Sequence, residues 1–171
     1  MSVFKILCCG QQQTAPLKDA VVAHLRQKGY MVDDLSARED GKDWRTYQIG
    51  ELTGKLVGEE KKYDFAIIFC GSGMGVCLSA NRFQGVYCAH CESIYTVKMA
   101  RGINNANVLA MGVNVIPPKL GCYMAEAFVS TKFLQDAPEG SNLSSMEQSY
   151  RELQEQDYAA HHLPTNINTI S

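Results

Sequence analysis

The sequence predicts a doubly wound α/β fold: one five-stranded parallel sheet of flavodoxin-like order, with helices on both faces. Three observations predict it. Five short apolar runs alternate with segments whose apolar residues recur at helical spacing. Each run is nearly continuous, as in strands buried on both faces. No repeat or linker interrupts the 171 residues, enough for one domain with a real core.

In chain order, residues 5–9 form the first strand and Gly10-Gln11-Gln12-Gln13-Thr14 its exit loop. Leu17, Val21 and Leu25 recur every fourth residue, predicting a helix with Thr14 as its cap and Gly29 as its stop. Residues 30–35 give the second strand, followed by a polar loop over 36–43. Ile49, Leu52 and Leu56 mark a second helix, loosened by Gly50 and Gly54. Phe65 opens the third strand. Residues 86–89 read as the fourth, and Ile94, Val97 and Arg101 line the helix after it. The fifth strand covers 107–111, and Pro117-Pro118 opens a helix carrying Leu120, Met124 and Phe128 on one face. Beyond Phe133 the chain turns polar: a loop over 135–145, an amphipathic helix through Met146, Tyr150 and Leu153, and an irregular tail from 159.

The third strand carries the chemistry. Phe65-Ala66-Ile67-Ile68-Phe69-Cys70 runs straight into Gly71-Ser72-Gly73-Met74-Gly75 and then a helix. A strand, a glycine turn and a helix aim backbone N–H groups at one point, where an anion or a developing oxyanion would be stabilised. Cys70 sits on the lip of that turn, where such donors favour a thiolate. In open α/β sheets ligands bind beyond the carboxyl ends of the strands, where strand order reverses. With flavodoxin-like order that point lies between the first and third strands, which sets Gly10-Gln11-Gln12 beside Cys70-Gly71-Ser72.

Composition narrows the function. Apolar residues are 46% and charged ones 20%, and a net charge of −2 gives no reason to expect nucleic acid. No run approaches membrane-spanning length and no signal region opens the chain, so a cytoplasmic protein is expected. Seven cysteines, an odd number without framework spacing, read as reduced thiols. The turn is not a Walker loop, since no Lys-Ser/Thr follows, and its third glycine comes one residue early for a dinucleotide fingerprint. Glu92, about twenty residues on, partly matches a ribose-binding acid, which keeps a nucleotide-binding module as an alternative. Cys88-Ala89-His90-Cys91 has redox or metal spacing, but no second Cys/His pair matches it, and it reads as strand packing. Asn104-Asn105-Ala106-Asn107 suits a turn, or amides that bind hydroxyl and carbonyl oxygens.

Cys70-Gly71-Ser72-Gly73-Met74-Gly75, Ser79-Ala80-Asn81-Arg82, Gly85-Val86, Met99-Ala100-Arg101, Asn104-Asn105-Ala106-Asn107-Val108-Leu109 and Met111-Gly112 resemble the type B ribose-5-phosphate and galactose-6-phosphate isomerase family. With Lys5-Ile6 and Leu17-Lys18 the likeness spans about residues 3–133. It implies a Rossmann-like fold, a homodimer or dimer of dimers with sites completed across the dimer, and a cofactor-independent aldose–ketose isomerase working through a cis-enediolate. No metal or organic cofactor is implied. By resemblance Cys70 is the C–H base, Ser72 the hydroxyl beside the developing charge, and Gly71, Gly73, Met74 and Gly75 the anion-hole turn. Asn104 is implied to hold substrate oxygens.

The departures from the family pattern concern substrate. Gln11-Gln12 stand where the family has Asp-His, Glu92 and Ile103 replace histidines, and Trp44 replaces a tyrosine as a wall residue. The phosphate-gripping arginines have no counterpart at Asn114 or within 139–145. The expectation is an active isomerase of a small sugar or sugar phosphate, in which Gln11, Gln12 and Asn104 bind hydroxyls, Glu92 shuttles protons, and a non-phosphorylated substrate is preferred. The alternative is a non-catalytic or half-site subunit, since the galactose-6-phosphate members are built from two unlike chains.

Overall fold

The apolar runs become strands β1 (Lys5–Gly10), β2 (Met31–Asp34), β3 (Phe65–Cys70), β4 (Cys88–His90) and β5 (Val108–Gly112) of one all-parallel sheet, in a computed structural model that describes residues 4–159. The sheet order is β2-β1-β3-β5-β4. The doubly wound class and the reversal between β1 and β3 are as predicted. The outer pair is exchanged relative to flavodoxin-like order, with β5 between β3 and β4. Burial explains the exchange: every residue of β5 is buried, whereas β4 has three half-buried residues. A short, less apolar strand belongs at an edge.

Right-handed crossovers then distribute the helices. Helices α1 (Ala15–Gln27), α4 (Ile94–Gly102) and α5 (Pro118–Ser130) pack together on one face, and α2 (Thr46–Thr53) and α3 (Met74–Ala80) on the other. Strand alternation feeds both cores. Ile6, Cys8, Ile67, Phe69, Leu109 and Met111 meet α1, α4 and α5. Leu7, Cys9, Ile68, Cys70, Val108 and Ala110 meet α2 and α3. A sixth helix, α6 (Leu143–Ala159), lies outside the layers, and the Tyr150 ring stacks edge-on against Tyr87 at 5.5 Å. The tail beyond Ala159 lies outside the described residues.

Three local expectations change. The fourth strand starts at Cys88, not 86, because the Asn107 side chain accepts from Tyr87 N–H and donates to Gly85 carbonyl, both at 2.8 Å. Gly50 sits inside α2, while at Gly54 the α-helix gives way to a π-helical segment, Gly54–Glu59. A Cβ on Gly50 would lie 2.1 Å from Ser79 Oγ, and one on Gly54 2.3 Å from the Phe83 ring, so both permit close packing. Thr14 is the N-cap residue of α1 without a side-chain cap bond. Its buried hydroxyl instead donates to Gln11 carbonyl at 2.7 Å, closing the short turn after β1.

Candidate active site

Cys70 is the last residue of β3, and only 4% of its surface is exposed. The chain then leaves the sheet sideways. The β5–α5 connection fixes its exit, with Val113 N–H donating to Cys70 carbonyl and Asn114 N–H to Gly71 carbonyl, both at 3.0 Å. Ser72 lies directly over Gly112, the end of β5. A Cβ there would lie 2.3 Å from the Ser72 carbonyl carbon, so only glycine lets the turn cross β5. Gly73 takes a left-handed φ of +83° and starts α3.

Two of the turn's N–H groups are engaged by the site itself. Gly73 N–H donates to Cys70 Sγ at 3.2 Å, and Met74 N–H donates to Ser72 Oγ at 3.3 Å. Thiol and hydroxyl are therefore held on one turn by consecutive donors. Gly75 approaches Thr46 of α2, whose methyl would lie 3.4 Å from a Cβ. Helix α3 has seven residues, so the local N–H groups rather than a long helix dipole supply the positive field.

The glutamines stand beside this turn, as the β1/β3 register requires: Gly10 is opposite Phe69. Gln13, which sequence reasoning passed over, comes nearest Gly71. Its Nε2 would lie 3.9 Å from a Cβ there, with Asn114 Nδ2 at 3.3 Å on the other flank. Gln11 is held back: its Nε2 donates to Trp44 carbonyl at 3.1 Å, while its Oε1 accepts from Gln13 at 3.4 Å. Gln12 is exposed, and its backbone N–H donates to Asp43 at 2.8 Å. Trp44 supplies that carbonyl rather than its ring. The indole N–H is shared between Leu35 and Ser36 carbonyls at 3.1 and 3.0 Å, and the ring lines a neighbouring cavity of about 630 Å³ with Arg38, Gln48 and Leu52.

His90, read from sequence as strand packing, belongs to the site. It ends β4, and its Nε2 lies 2.9 Å from Ser72 carbonyl, so Nε2 carries the proton and donates. Glu92 Oε1 is 3.8 Å from the same nitrogen, at the exposed mouth. The signal available in the sequence was position: a histidine closing the fourth strand falls at the carboxyl edge of the sheet. Cys91 does pack in the core. Cys88 pairs with Cys77 on α3. The Cys88 bond holds the Cys77 thiol down to about 7, while the same bond and burial push Cys88 up. All seven cysteines are free, and among the described residues no group of three His, Cys, Asp or Glu side chains could hold a metal.

Of the three cations that line the cavity beside Gln11 and Gln12, Lys18 and Arg38 are paired with carboxylates, and Lys42 stands at its edge. Burial works against the charge of Lys18, but Asp19 and Asp34 outweigh it and hold the ammonium above the usual lysine range. Arg38 makes two 2.9 Å bonds to Asp40 and stacks on Trp44 at 4.5 Å.

Asn104 stands elsewhere. It follows α4, at the amino edge of the sheet just before β5. Cys70 pairs with Gly112 and Ala66 with Val108, so the length of β5, about 13 Å, separates the two edges. Asn104 is exposed, and it lines a surface cavity with Ser149 and Leu153 of α6. Asn105 takes φ +51° and accepts from Arg101 Nη1 at 2.9 Å, which fixes the turn that presents Asn104.

Comparison with known proteins follows this geometry. The family model for Ribose/Galactose Isomerase matches residues 6–143. The 4-deoxy-4-sulfo-D-erythrose isomerase of Clostridium sp. (strain MSTE9) is 36% identical over 135 residues, covering 79% of this chain and 84% of that protein. The D-erythrulose-4-phosphate isomerase of Pectobacterium atrosepticum is 32% identical over 117 residues, covering 68% and 76%. The crystal structure of Mycoplasma genitalium ribose-5-phosphate isomerase B with bound ribulose-5-phosphate superimposes with a TM-score of 0.78 at 25% identity, over 92% of this chain and 98% of that one.

Proposed function

Because the chain belongs to the ribose/galactose isomerase family, we propose that it is an aldose–ketose isomerase of a short sugar or sugar phosphate, using Cys70 as the C–H base. The observation that carries this reading is the pairing of thiol and hydroxyl on one turn, held by the consecutive N–H groups of Gly73 and Met74. Cys70, as thiolate, takes the proton from C2 of the open-chain aldose. The electrons move into a C1–C2 double bond, and the carbonyl oxygen becomes an enediolate oxygen. Its charge falls beside Ser72 and the glycine turn, where preorganised donors lower the barrier. The C2 hydroxyl gives up its proton and the C1 oxygen takes one, relayed between them by Ser72, with Glu92 exchanging that proton with solvent. The thiol then returns its proton to C1, which gives the ketose with nothing gained or lost. Gln11, Gln12 and Gln13 line the hydroxyl-binding side. Met74 and the wall formed at Trp44 border it, and Asn104 comes from a second copy of the chain.

The pairing of Lys18 with Asp34 and of Arg38 with Asp40 favours a neutral sugar terminus, leaving Lys42 as the one cavity cation an anion would meet without breaking an ion pair among the described residues. The two relatives favour a second reading. The substrates they are named for end in a sulfonate or a phosphate, and a second copy would then supply the grip. The test is turnover by the purified chain alone in deuterium oxide, on four-carbon sugars ending in hydroxyl, phosphate or sulfonate. Product carrying solvent deuterium at C1 or C2 is expected. A tenfold or greater preference for an anionic member overturns the neutral reading, and no turnover on a wider sugar panel overturns the isomerase in favour of a half-site subunit.

A further inference from the structure

We propose that His90 is a positioning residue for Cys70, acting through the single peptide plane that joins Ser72 to Gly73. This rests on reading Cys70 as the base. The carbonyl of that peptide accepts from His90 Nε2–H at 2.9 Å, and its N–H donates to Cys70 Sγ at 3.2 Å. A trans peptide is planar, with C=O and N–H pointing opposite ways. Fixing the carbonyl at β4 therefore aims the N–H at the thiol on β3. The two bonds also polarise the same amide, so each strengthens the other.

The need for such a clamp lies in the turn itself. Gly73 sits at φ +83°, and glycine populates both signs of φ with little preference. An unrestrained Ser72–Gly73 peptide can rotate and turn its carbonyl toward Cys70, where an oxygen lone pair opposes a thiolate. His90 blocks that rotation twice. It bonds the carbonyl, and its ring lies against the Gly73 α-carbon, so close that a Cβ would stand 2.6 Å from Cδ2. Glu92, 3.8 Å from Nε2, favours the ring orientation in which that nitrogen carries its proton. The Nε2 proton of His90 is committed to the Ser72 carbonyl, so its work is to hold the base rather than to move a proton.

The experiment compares His90→Leu, His90→Asn and His90→Gln. The Gln amide N–H reaches the position of Nε2; the shorter Asn and apolar Leu do not restore the bond. Amide hydrogen exchange at Gly73, read by NMR without any sugar, is expected to quicken about tenfold or more in the Leu and Asn variants, the worth of one hydrogen bond. It should stay near wild type in the Gln variant, with amides of β1 and β5 unchanged throughout. On a turned-over sugar, kcat should fall about tenfold or more in Leu and Asn at little-changed KM, with recovery in Gln. Unchanged Gly73 exchange in Leu or Asn, or kcat unaltered in both, overturns the proposal. Should His90→Leu fail to fold, His90→Asn carries the same comparison. A wild-type chain that turns over no sugar overturns the proposed function, and Gly73 exchange still decides the clamp.

Discussion

The two edges of the sheet are built on opposite principles. At the carboxyl edge, Cys70, Ser72, Gly73 and His90 are locked to one another by short backbone bonds, and two glycines admit contacts no side chain would allow. At the amino edge, Asn104 projects from a turn whose other polar groups are satisfied: Asn105 by Arg101, and Asn107 by Gly85 and Tyr87. The Arg101 guanidinium that steadies this turn is buried against Phe65 at 4.7 Å. One edge gathers Cys70 and Ser72 on one turn; the other leaves the Asn104 amide exposed. The proposed site, which uses both, would draw on two copies of the chain.

The largest expected effect tests the carboxyl edge. Cys70→Ala should lower kcat about 10²–10⁴-fold, the usual worth of a general base, and abolish deuterium incorporation at unchanged thermal stability. Retention of more than about a tenth of the wild-type rate breaks the assignment. The division of labour between edges comes next. Asn104→Ala should also be impaired, and mixing it with Cys70→Ala should restore about a quarter of wild-type activity, since random pairing in a dimer gives one intact site in four. A mixture no better than its components would place both residues' work within one chain. Gly112→Ala then tests whether the turn must cross β5. Its Cβ meets Ser72 backbone at 2.3 Å, so a loss of about 1–3 kcal/mol in unfolding free energy is expected, together with reduced activity.

The smallest effect concerns the rim beside β2. Burial alone would raise the Asp34 carboxyl, but hydrogen bonds from Lys18 and Ser36 win and hold it below its ordinary value of 3.8. A lowered folded-state value means the stabilisation is fully present above pH 3.8 and disappears as pH falls through the folded-state value. Asp34→Asn should therefore be less stable than wild type at neutral pH, with the gap closing in acid. A constant gap across the acid range would assign the pair no electrostatic role. Denaturant unfolding from pH 7 downward reads it.

Legibility followed the range of the interactions. The glycine turn after the third strand, the place of Cys70 at its start and the switch point beside the glutamines were readable, because each depends on neighbours in sequence or on a general rule of parallel sheets. His90 was legible only in its place at the carboxyl edge; its partner is eighteen residues away, and nothing local in sequence points to that partner. Trp44 was expected as a wall residue only by resemblance, and which of its groups meets Gln11 depends on the fold of the 36–43 loop.

Composition and periodicity by themselves determined the α/β class, the strands and the place of the glycine turn, since apolar runs and glycine spacing act through local backbone preference and burial. The order of the outer strands, the crossing of Ser72 over Gly112 and the distance of Asn104 from Cys70 were decided only in three dimensions. Each depends on which residues become neighbours when layers pack, and packing responds to the whole set of burial demands at once. That is why the fully buried β5 displaced the shorter β4 to the edge, and why a histidine on that edge strand came to rest against the turn that holds Cys70.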